Sequence, residues 1–208
     1  MAGSKNEDRY LTTEANTVNT VLNKIDYNEQ IGSREMRGSI AGLSRIAGRL
    51  PEEDARATAI AIKLLSDAGL PFKNGYGSDA LTNGERAAVI SLALYSIADR
   101  QSYRANGESF GKSMGKAVQA DPKSSLYDLM RKISYDDDLT SLTYDLSRAV
   151  RRLGDVGVDY AVLVNDLIHF QDDDRRQSVL NRWVKDYYRT TTHKTEDSKE
   201  AETENRQQ

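Results

Sequence analysis

The sequence predicts an all-α protein, a bundle of about eight helices. Apolar residues recur at helical spacing along most of the chain, as in the stripe of Val18, Val21, Leu22 and Ile25. No run of alternating, β-branched residues predicts a strand. The 208 residues are enough to bury a core within a single domain.

The N-terminal half contains predicted helices around residues 18–25, 34–49, 51–69 and 82–97. Pro51 stands in the first turn of the third helix, and the acidic residues 52–54 favour the positive end of its dipole. Gly69 is expected to cap the end of that helix. Thr82 and Glu85 fit a capping box at the start of the next one.

The C-terminal half contains the remaining predicted helices, at residues 109–118, 122–133, 138–153, 158–170 and 172–189. Glycine-rich and polar stretches at 73–78 and 101–107 are predicted loops. We expect a flexible N-terminus at 1–10, one all-α domain at 11–189, and a disordered acidic tail at 190–208. The tail is assigned because it contains no large apolar residue.

Composition argues against an enzyme. The chain has no cysteine, which excludes disulfides and thiolate metal sites, and its two histidines are His169 and His193. The acidic triplets at 136–138 and 172–174 could hold magnesium, but helix N-terminal charge explains them better. No phosphate-binding loop or nucleophile elbow occurs. The sequence therefore predicts no catalytic residue, no metal and no cofactor.

The distribution of apolar residues predicts a cytoplasmic protein. The first residues lack the apolar segment of a signal peptide, and no stretch approaches 18 consecutive apolar residues. The absence of cysteine fits a reducing compartment.

The net charge of −3 conceals a segregation along the chain. Residues 1–33 and 190–208 each carry a net charge of −2, whereas residues 34–189 carry +1. A nearly neutral body of this kind can present a basic face. The overall sign therefore does not exclude nucleic-acid binding by the folded part.

Cationic residues repeat at helical spacing in the central part. Arg148, Arg151 and Arg152 are expected to share one helical face, and Arg131 ends the preceding helix beside Lys132. Guanidinium groups bind phosphates bidentately and stay charged. The ordinary alternative is a set of solvated faces with local salt bridges. Further candidates at such positions are Arg34 and Arg37, Lys112 and Lys116 around the small residues Gly111, Ser113 and Gly115, and Arg175 and Arg176.

From Gly107 onward the sequence resembles the CasB family, the small helical subunit of the type I-E CRISPR surveillance complex, Cascade. The resemblance covers about residues 33–190. It rests on five short stretches in the expected order and spacing. The first three are Gly107-Glu108-Ser109-Phe110-Gly111-Lys112, Leu126-Tyr127-Asp128-Leu129-Met130-Arg131 and Leu146-Ser147-Arg148-Ala149-Val150. The last two are Val158-Asp159-Tyr160 and Arg176-Gln177-Ser178-Val179-Leu180-Asn181-Arg182-Trp183.

The resemblance implies a non-catalytic subunit with an N-terminal and a C-terminal helical bundle packed together. The partners it implies are a second copy of the chain, the backbone and large subunits of the complex, the guide RNA, and the target and non-target DNA strands. Such a subunit would stabilise the R-loop through phosphate contacts that are blind to sequence, because base pairing with the guide supplies the specificity.

The resemblance also suggests which cations contact nucleic acid. The family's basic positions fall best on Arg37, Arg86, Lys112, Arg131 and Arg148. Neighbouring candidates whose register is less fixed are Arg34, Arg100, Arg104, Arg151 and Arg152. The chain departs from the family pattern at residues 172–174, which are acidic where the family often has basic residues; Arg175 and Arg176 would replace that contact only in part.

Two other functions remain open from the residues. A stand-alone helical DNA-binding regulator is one, although no recognition helix of the helix-turn-helix type is visible. The other is a helical scaffold or partner-binding module that makes no direct contact with nucleic acid and whose arginines only keep it soluble.

Overall fold

The computed structural model describes residues 11–30, 32–72, 80–98, 106–122 and 125–204, with side chains described as far as Thr192. Within these ranges the chain forms nine α-helices and no strand, which confirms the predicted all-α class. The helices are α1 (Thr13–Gln30), α2 (Arg34–Leu43), α3 (Ala55–Asp67), α4 (Asn83–Ser96), α5 (Phe110–Ala120), α6 (Leu126–Ile133), α7 (Leu139–Val150), α8 (Tyr160–Phe170) and α9 (Asp173–Glu204).

Two predicted helix boundaries in the N-terminal half are confirmed by their caps. Gly69 has a φ of +95°. Its N–H donates to the carbonyl of Ser66 at 2.9 Å, and that of Leu70 donates to Leu65 at 3.0 Å, which is the Schellman pattern. At the start of α4, Glu85 N–H donates to Thr82 Oγ1 at 3.2 Å while Thr82 N–H donates to the Glu85 carboxylate at 2.8 Å.

Other boundaries differ from the prediction because short 3₁₀ segments intervene. The stretch Pro51–Glu53 forms its own 3₁₀ helix, and α3 begins only at Ala55. Asp54 caps α3 by accepting a hydrogen bond of 3.0 Å from Ala57 N–H. Likewise α2 ends at Leu43 and gives way to a 3₁₀ turn, whereas the sequence predicts a helix as far as residue 49.

The ends of α7 and α9 also differ from expectation. α7 ends at Val150 rather than at residue 153. The predicted end of α9 at Arg189 is wrong, since the helix continues to Glu204 through most of the segment assigned to a disordered tail. No glycine or proline follows Gly157 in the sequence, so nothing in the chain interrupts the helix once it has formed. The predicted flexible N-terminus and the loop at 73–78 lie outside the described residues, as does most of the loop at 101–107.

α4 and α8 form the centre of a single continuous core. α8 packs against α1, α4 and α9, so the two halves of the chain share their buried side chains. Two polar contacts reinforce this arrangement. Asn165 Oδ1 accepts hydrogen bonds from the backbone N–H and the hydroxyl of Thr12 at 3.2 and 2.9 Å, and the Tyr95 hydroxyl donates to Asp26 at 2.6 Å.

α5 packs along α9 through glycines. A Cβ on Gly111 would lie 2.0 Å from the main-chain oxygen of Trp183, and one on Gly115 would lie 2.9 Å from that of Tyr187. Phe110 and Trp183 place their ring centroids 5.4 Å apart. The backbone that approaches the small residues of α5 is therefore that of α9.

Candidate nucleic-acid interface

A groove between α6 and α7 carries the densest group of described cations. It has a volume of about 630 Å³. We call it the basic groove, and its charged and aromatic lining residues are Asp128, Arg131, Lys132, Tyr135, Arg148 and Arg152. Four cations line the groove with the carboxylate of Asp128, and Asp145 pairs with two of them, so an excess of positive charge remains for a polyanion.

A buried carboxylate anchors two of these cations. Asp145, on α7, is fully buried and lies 2.9 Å from the Lys132 ammonium and 3.3 Å from the Arg148 guanidinium. Both cations also lie over the Tyr144 ring, at 5.6 and 5.7 Å from its centroid. The side chains of Lys132 and Arg148 keep 55% and 40% of their surface exposed, so each can still contact a phosphate.

A second buried carboxyl lies close to this anchor. Asp136 is buried, and its Oδ2 has no hydrogen-bond partner among the described residues. Burial first, and then the negative charge of Asp145, raise the pKa of Asp136 to about 7, against the partial compensation of Lys132. A carboxyl whose pKa is near neutral therefore interacts with Asp145 and Lys132, next to the groove.

The other two arginines of the groove differ in their partners. Arg152 donates from its guanidinium to the carbonyl of Arg148 at 3.0 Å. Arg131 is exposed and forms no ion pair within the described ranges. Arg151, predicted to share the face of Arg148 and Arg152, is the C-terminal cap of α7 and does not line the groove.

Lys112 and Lys116 share one acidic partner on α5's N-terminal side. Both ammonium groups contact the Glu108 carboxylate, at 2.8 and 2.5 Å respectively. Partial burial would raise the pKa of Glu108, but the hydrogen bonds from the two lysines outweigh it and the pKa is lowered. Two predicted phosphate-binding residues are thus already paired with an acid.

Arg86 and Arg176 line a different cleft, of about 550 Å³, together with Glu52, Asp137 and Asp138. Arg86 lies 2.8 Å from Glu52, and Arg176 lies 2.5 Å from Asp173 and over the Phe170 ring. Cations and carboxylates are mixed in this cleft, so its charge is far less one-sided than that of the basic groove.

The remaining predicted cations do not join either group. Arg37 lines a separate hollow of about 270 Å³ and donates to the carbonyl of Gly32 at 2.9 Å, while Arg34 is exposed at the start of α2. Arg175 lies 3.5 Å from Asp172. Arg100 and Arg104 lie outside the described residues.

Sequence reasoning missed the tyrosines of this region and noted Lys132 only as the end of a helix. Tyr135 lines the groove directly and Tyr144 supports two of its cations. The interleaving of tyrosines with basic residues in 127–152 is the pattern that would have indicated them.

The described residues offer neither a candidate metal site nor a candidate membrane-spanning helix. No group of three histidine, aspartate or glutamate side chains is arranged to hold a metal ion among them. None of the described helices combines the length and the apolar character needed to cross a membrane.

The family model described as CRISPR-associated protein Cse2 matches residues 39–188. Three solved structures resemble the fold at low identity. CasB from Thermobifida fusca has a TM-score of 0.63 at 19% identity, covering 85% of this chain and 98% of that one. A chain of a CRISPR RNA-guided surveillance complex has a TM-score of 0.65 at 20% identity, and the match covers 89% of this chain and 99% of that one. A Cse2-family protein from Thermus thermophilus has a TM-score of 0.59 at 19% identity, and the match covers 82% of this chain and 97% of that one. No curated protein matches the chain.

Proposed function

The chain belongs to the Cse2 family of CRISPR-associated proteins, also called CasB, and from this membership we propose that it is a non-catalytic small subunit of an RNA-guided surveillance complex. In that role it stabilises the R-loop by holding DNA strands through phosphate contacts. One of the similar structures is itself a chain of such a complex, which supports the proposal.

The observation that carries the DNA-binding part is the basic groove. Arg131, Lys132, Arg148 and Arg152 converge there from α6, α7 and the turn after α7. Contacts of cations with phosphates supply affinity without sequence preference, which is what a subunit needs when base pairing supplies the specificity. The groove is therefore the first place to test.

The partners of the subunit are part of the same proposal. They comprise a second copy of the chain, the backbone and large subunits, the guide RNA, and the target and displaced DNA strands. The cations outside the groove (Arg86, Lys112, Lys116, Arg175 and Arg176) each have a carboxylate partner, as Lys132 and Arg148 do. The groove also holds Arg131 and Arg152, which form no ion pair among the described residues, so it is the more positive surface.

The test is an R-loop assembly assay with the reconstituted complex. We expect Arg131→Ala combined with Arg148→Ala to weaken binding of target DNA by about 10- to 100-fold. The affinity of the variant should also depend less on salt. The slope of the logarithm of the binding constant against the logarithm of the salt concentration should shrink by about 1.4, because two single-strand phosphate contacts are lost. The complex must still contain the subunit in normal amount.

A matched control removes the same charge elsewhere. Lys24→Ala combined with Arg56→Ala changes two exposed cations on α1 and α3, outside the groove. If the groove variant and this control hold the R-loop equally well at physiological salt, direct DNA contact by the groove is wrong. The alternative function, a helical scaffold without nucleic-acid contact, would then be favoured.

A further inference from the structure

The exposed aromatic side chains of this protein concentrate beside the basic groove. The large apolar side chains that are exposed in the described part of the chain are all tyrosines: Tyr27, Tyr127, Tyr135, Tyr144 and Tyr188. Tyr135 is 81% exposed and lines the groove itself, in the turn that follows α6. Tyr144 is 53% exposed beneath Lys132 and Arg148. Aromatic surface and positive charge are therefore adjacent.

Two further tyrosines extend this surface from α6 to α9. A side-chain hydrogen bond joins Tyr188 to Tyr127, and this bond, together with burial and the nearby phenols of Tyr127 and Tyr135, raises the pKa of Tyr188. The Tyr188 ring also packs edge-on against the buried Tyr187, with centroids 5.2 Å apart. We call Tyr127, Tyr135 and Tyr188 the tyrosine cluster. Tyr127 and Tyr188 are held by contacts within the protein before any ligand arrives, and Tyr135 presents its ring to solvent beside them.

The chemistry of this surface matches unpaired nucleotides. A strand of nucleic acid presents phosphates at regular intervals and, where it is not base-paired, one aromatic face at each base. Exposed tyrosines beside four cations can stack on bases while the cations hold the phosphates. Bases inside a duplex are already stacked and paired, so they offer no face to such a surface.

A protein neighbour is the other occupant that exposed tyrosines could meet, since tyrosine is enriched at protein interfaces. The charge of the region distinguishes the two. Four cations line the groove next to the cluster, against the carboxylates of Asp128 and of Asp145, which pairs with two of them. The remaining excess of positive charge is complementary to a polyanion. Nucleic acid is therefore the occupant that the observations favour.

We propose that the basic groove and the tyrosine cluster together bind a single-stranded segment of DNA, with bases stacked on Tyr135 and its neighbours and phosphates on Arg131, Arg148 and Arg152. This inference rests on the proposed function and makes it more specific. The displaced strand, already a partner under the proposed function, has unpaired bases along its length, so contacts with bases are what this surface adds to the binding of phosphates.

The test measures binding of the full chain to two fluorescent oligonucleotides of about 12 nucleotides at low salt, within the range of single-strand site sizes. One is oligothymidylate, and the other has the same number of phosphates but no bases. We expect oligothymidylate to bind about 5- to 50-fold more tightly. Tyr135→Leu should remove most of that difference without changing the salt dependence, and Tyr135→Phe, which keeps the ring, should retain it.

Tyr27→Leu is the matched control, because Tyr27 is also exposed but lies on α1 and does not line the groove. Equal affinity for the two oligonucleotides, or no binding of either, overturns base stacking. The R-loop assay with the Arg131 and Arg148 variant decides the proposed function separately. If Tyr135→Leu binds oligothymidylate like the wild type but no longer assembles with the other subunits, the cluster is a protein contact and the inference is wrong.

Discussion

Lys132, at the end of α6, forms an ion pair of 2.9 Å with Asp145, a fully buried carboxylate on α7. The same carboxylate lies 3.3 Å from Arg148. One acid thus fixes two cations of the basic groove and links the two helices that form its walls. Cations anchored in this way are pre-organised for phosphate, because little side-chain freedom remains to be lost on binding.

Replacing the anchor should destabilise the protein. In Asp145→Asn the amide cannot form either ion pair, and we expect the free energy of unfolding to fall by about 1.5–3 kcal/mol. Urea unfolding at about pH 5.5, where Asp136 is protonated and its repulsion by Asp145 is absent, isolates this effect. Asp128→Asn, at an exposed carboxylate of the same groove, should change stability by less than about 0.5 kcal/mol. Equal effects would show that Asp145 is not an anchor.

Asp136 should make stability fall as pH rises through neutrality. Its pKa is about 7 in the folded protein, raised from 3.8, so the folded state holds this proton more tightly than the unfolded state. The resulting stabilisation is complete below about pH 4 and is lost as pH rises through about 7. The free energy of unfolding of Asp136→Asn, relative to that of the wild type, should therefore rise by about 2–4 kcal/mol between pH 5 and pH 8.

Chemical unfolding at a series of pH values checks this expectation. Asp137→Asn, at the exposed neighbouring residue, serves as the control and should follow the wild-type pH dependence. An Asp136→Asn variant whose stability runs parallel to the wild type between pH 5 and pH 8 would contradict the assignment of the titration to this carboxyl.

The close contact of α5 with α9 should not tolerate a methyl group. Gly111→Ala would bring a Cβ to 2.0 Å from the Trp183 carbonyl oxygen. We therefore expect the free energy of unfolding to fall by at least about 1–3 kcal/mol. Gly38→Ala is the matched control, because it lies within α2 with nothing within 4 Å of the new Cβ. Gly38→Ala should raise the free energy of unfolding by about 0.5–1 kcal/mol, because alanine favours a helix more than glycine does. Circular dichroism follows unfolding of both, and Trp183, the single tryptophan, reports on the contact by fluorescence.

The two lysines of α5 should matter less for DNA than the groove arginines. Glu108 already neutralises part of the charge of Lys112 and Lys116. In the groove Asp145 does the same for Lys132 and Arg148, but Arg131 and Arg152 add two cations that form no ion pair among the described residues. We expect Lys112→Ala combined with Lys116→Ala to change DNA affinity by no more than about twofold, against about 10- to 100-fold for Arg131 with Arg148. Fluorescence anisotropy or R-loop assays compare the two pairs directly. A larger loss from the lysine pair would move the interface to α5.

Glu108 gives this pairing its own pH dependence. Because the pKa of Glu108 is lowered in the folded protein, the stabilisation it contributes is present above its ordinary value of 4.5 and is lost as pH falls. Glu108→Gln should therefore be less stable than the wild type at pH 7 and equal to it near pH 3. A constant difference between the two proteins across that range would contradict the ion pairs.

Helix positions were predictable wherever the determining contacts are local. The Thr82–Glu85 capping box and the Gly69 stop involve residues within one turn, and both are present as the sequence predicts. Helix ends set by short 3₁₀ segments, such as the one at Pro51–Glu53, were not predictable. Their hydrogen bonds differ from those of an α-helix by one residue, and the apolar pattern does not resolve that difference.

The sequence by itself determined the helical class, most helix starts and the set of cations that could meet a phosphate, because periodicity, caps and composition are properties of neighbouring residues. Only the tertiary structure decided which of those cations gather in one groove and which are paired with an acid. Lys132 meets Asp145 across two helices, and Glu108 reaches Lys116 two turns further on. The charge left for a ligand depends on packing that brings distant residues together, and spacing along one helix does not encode it.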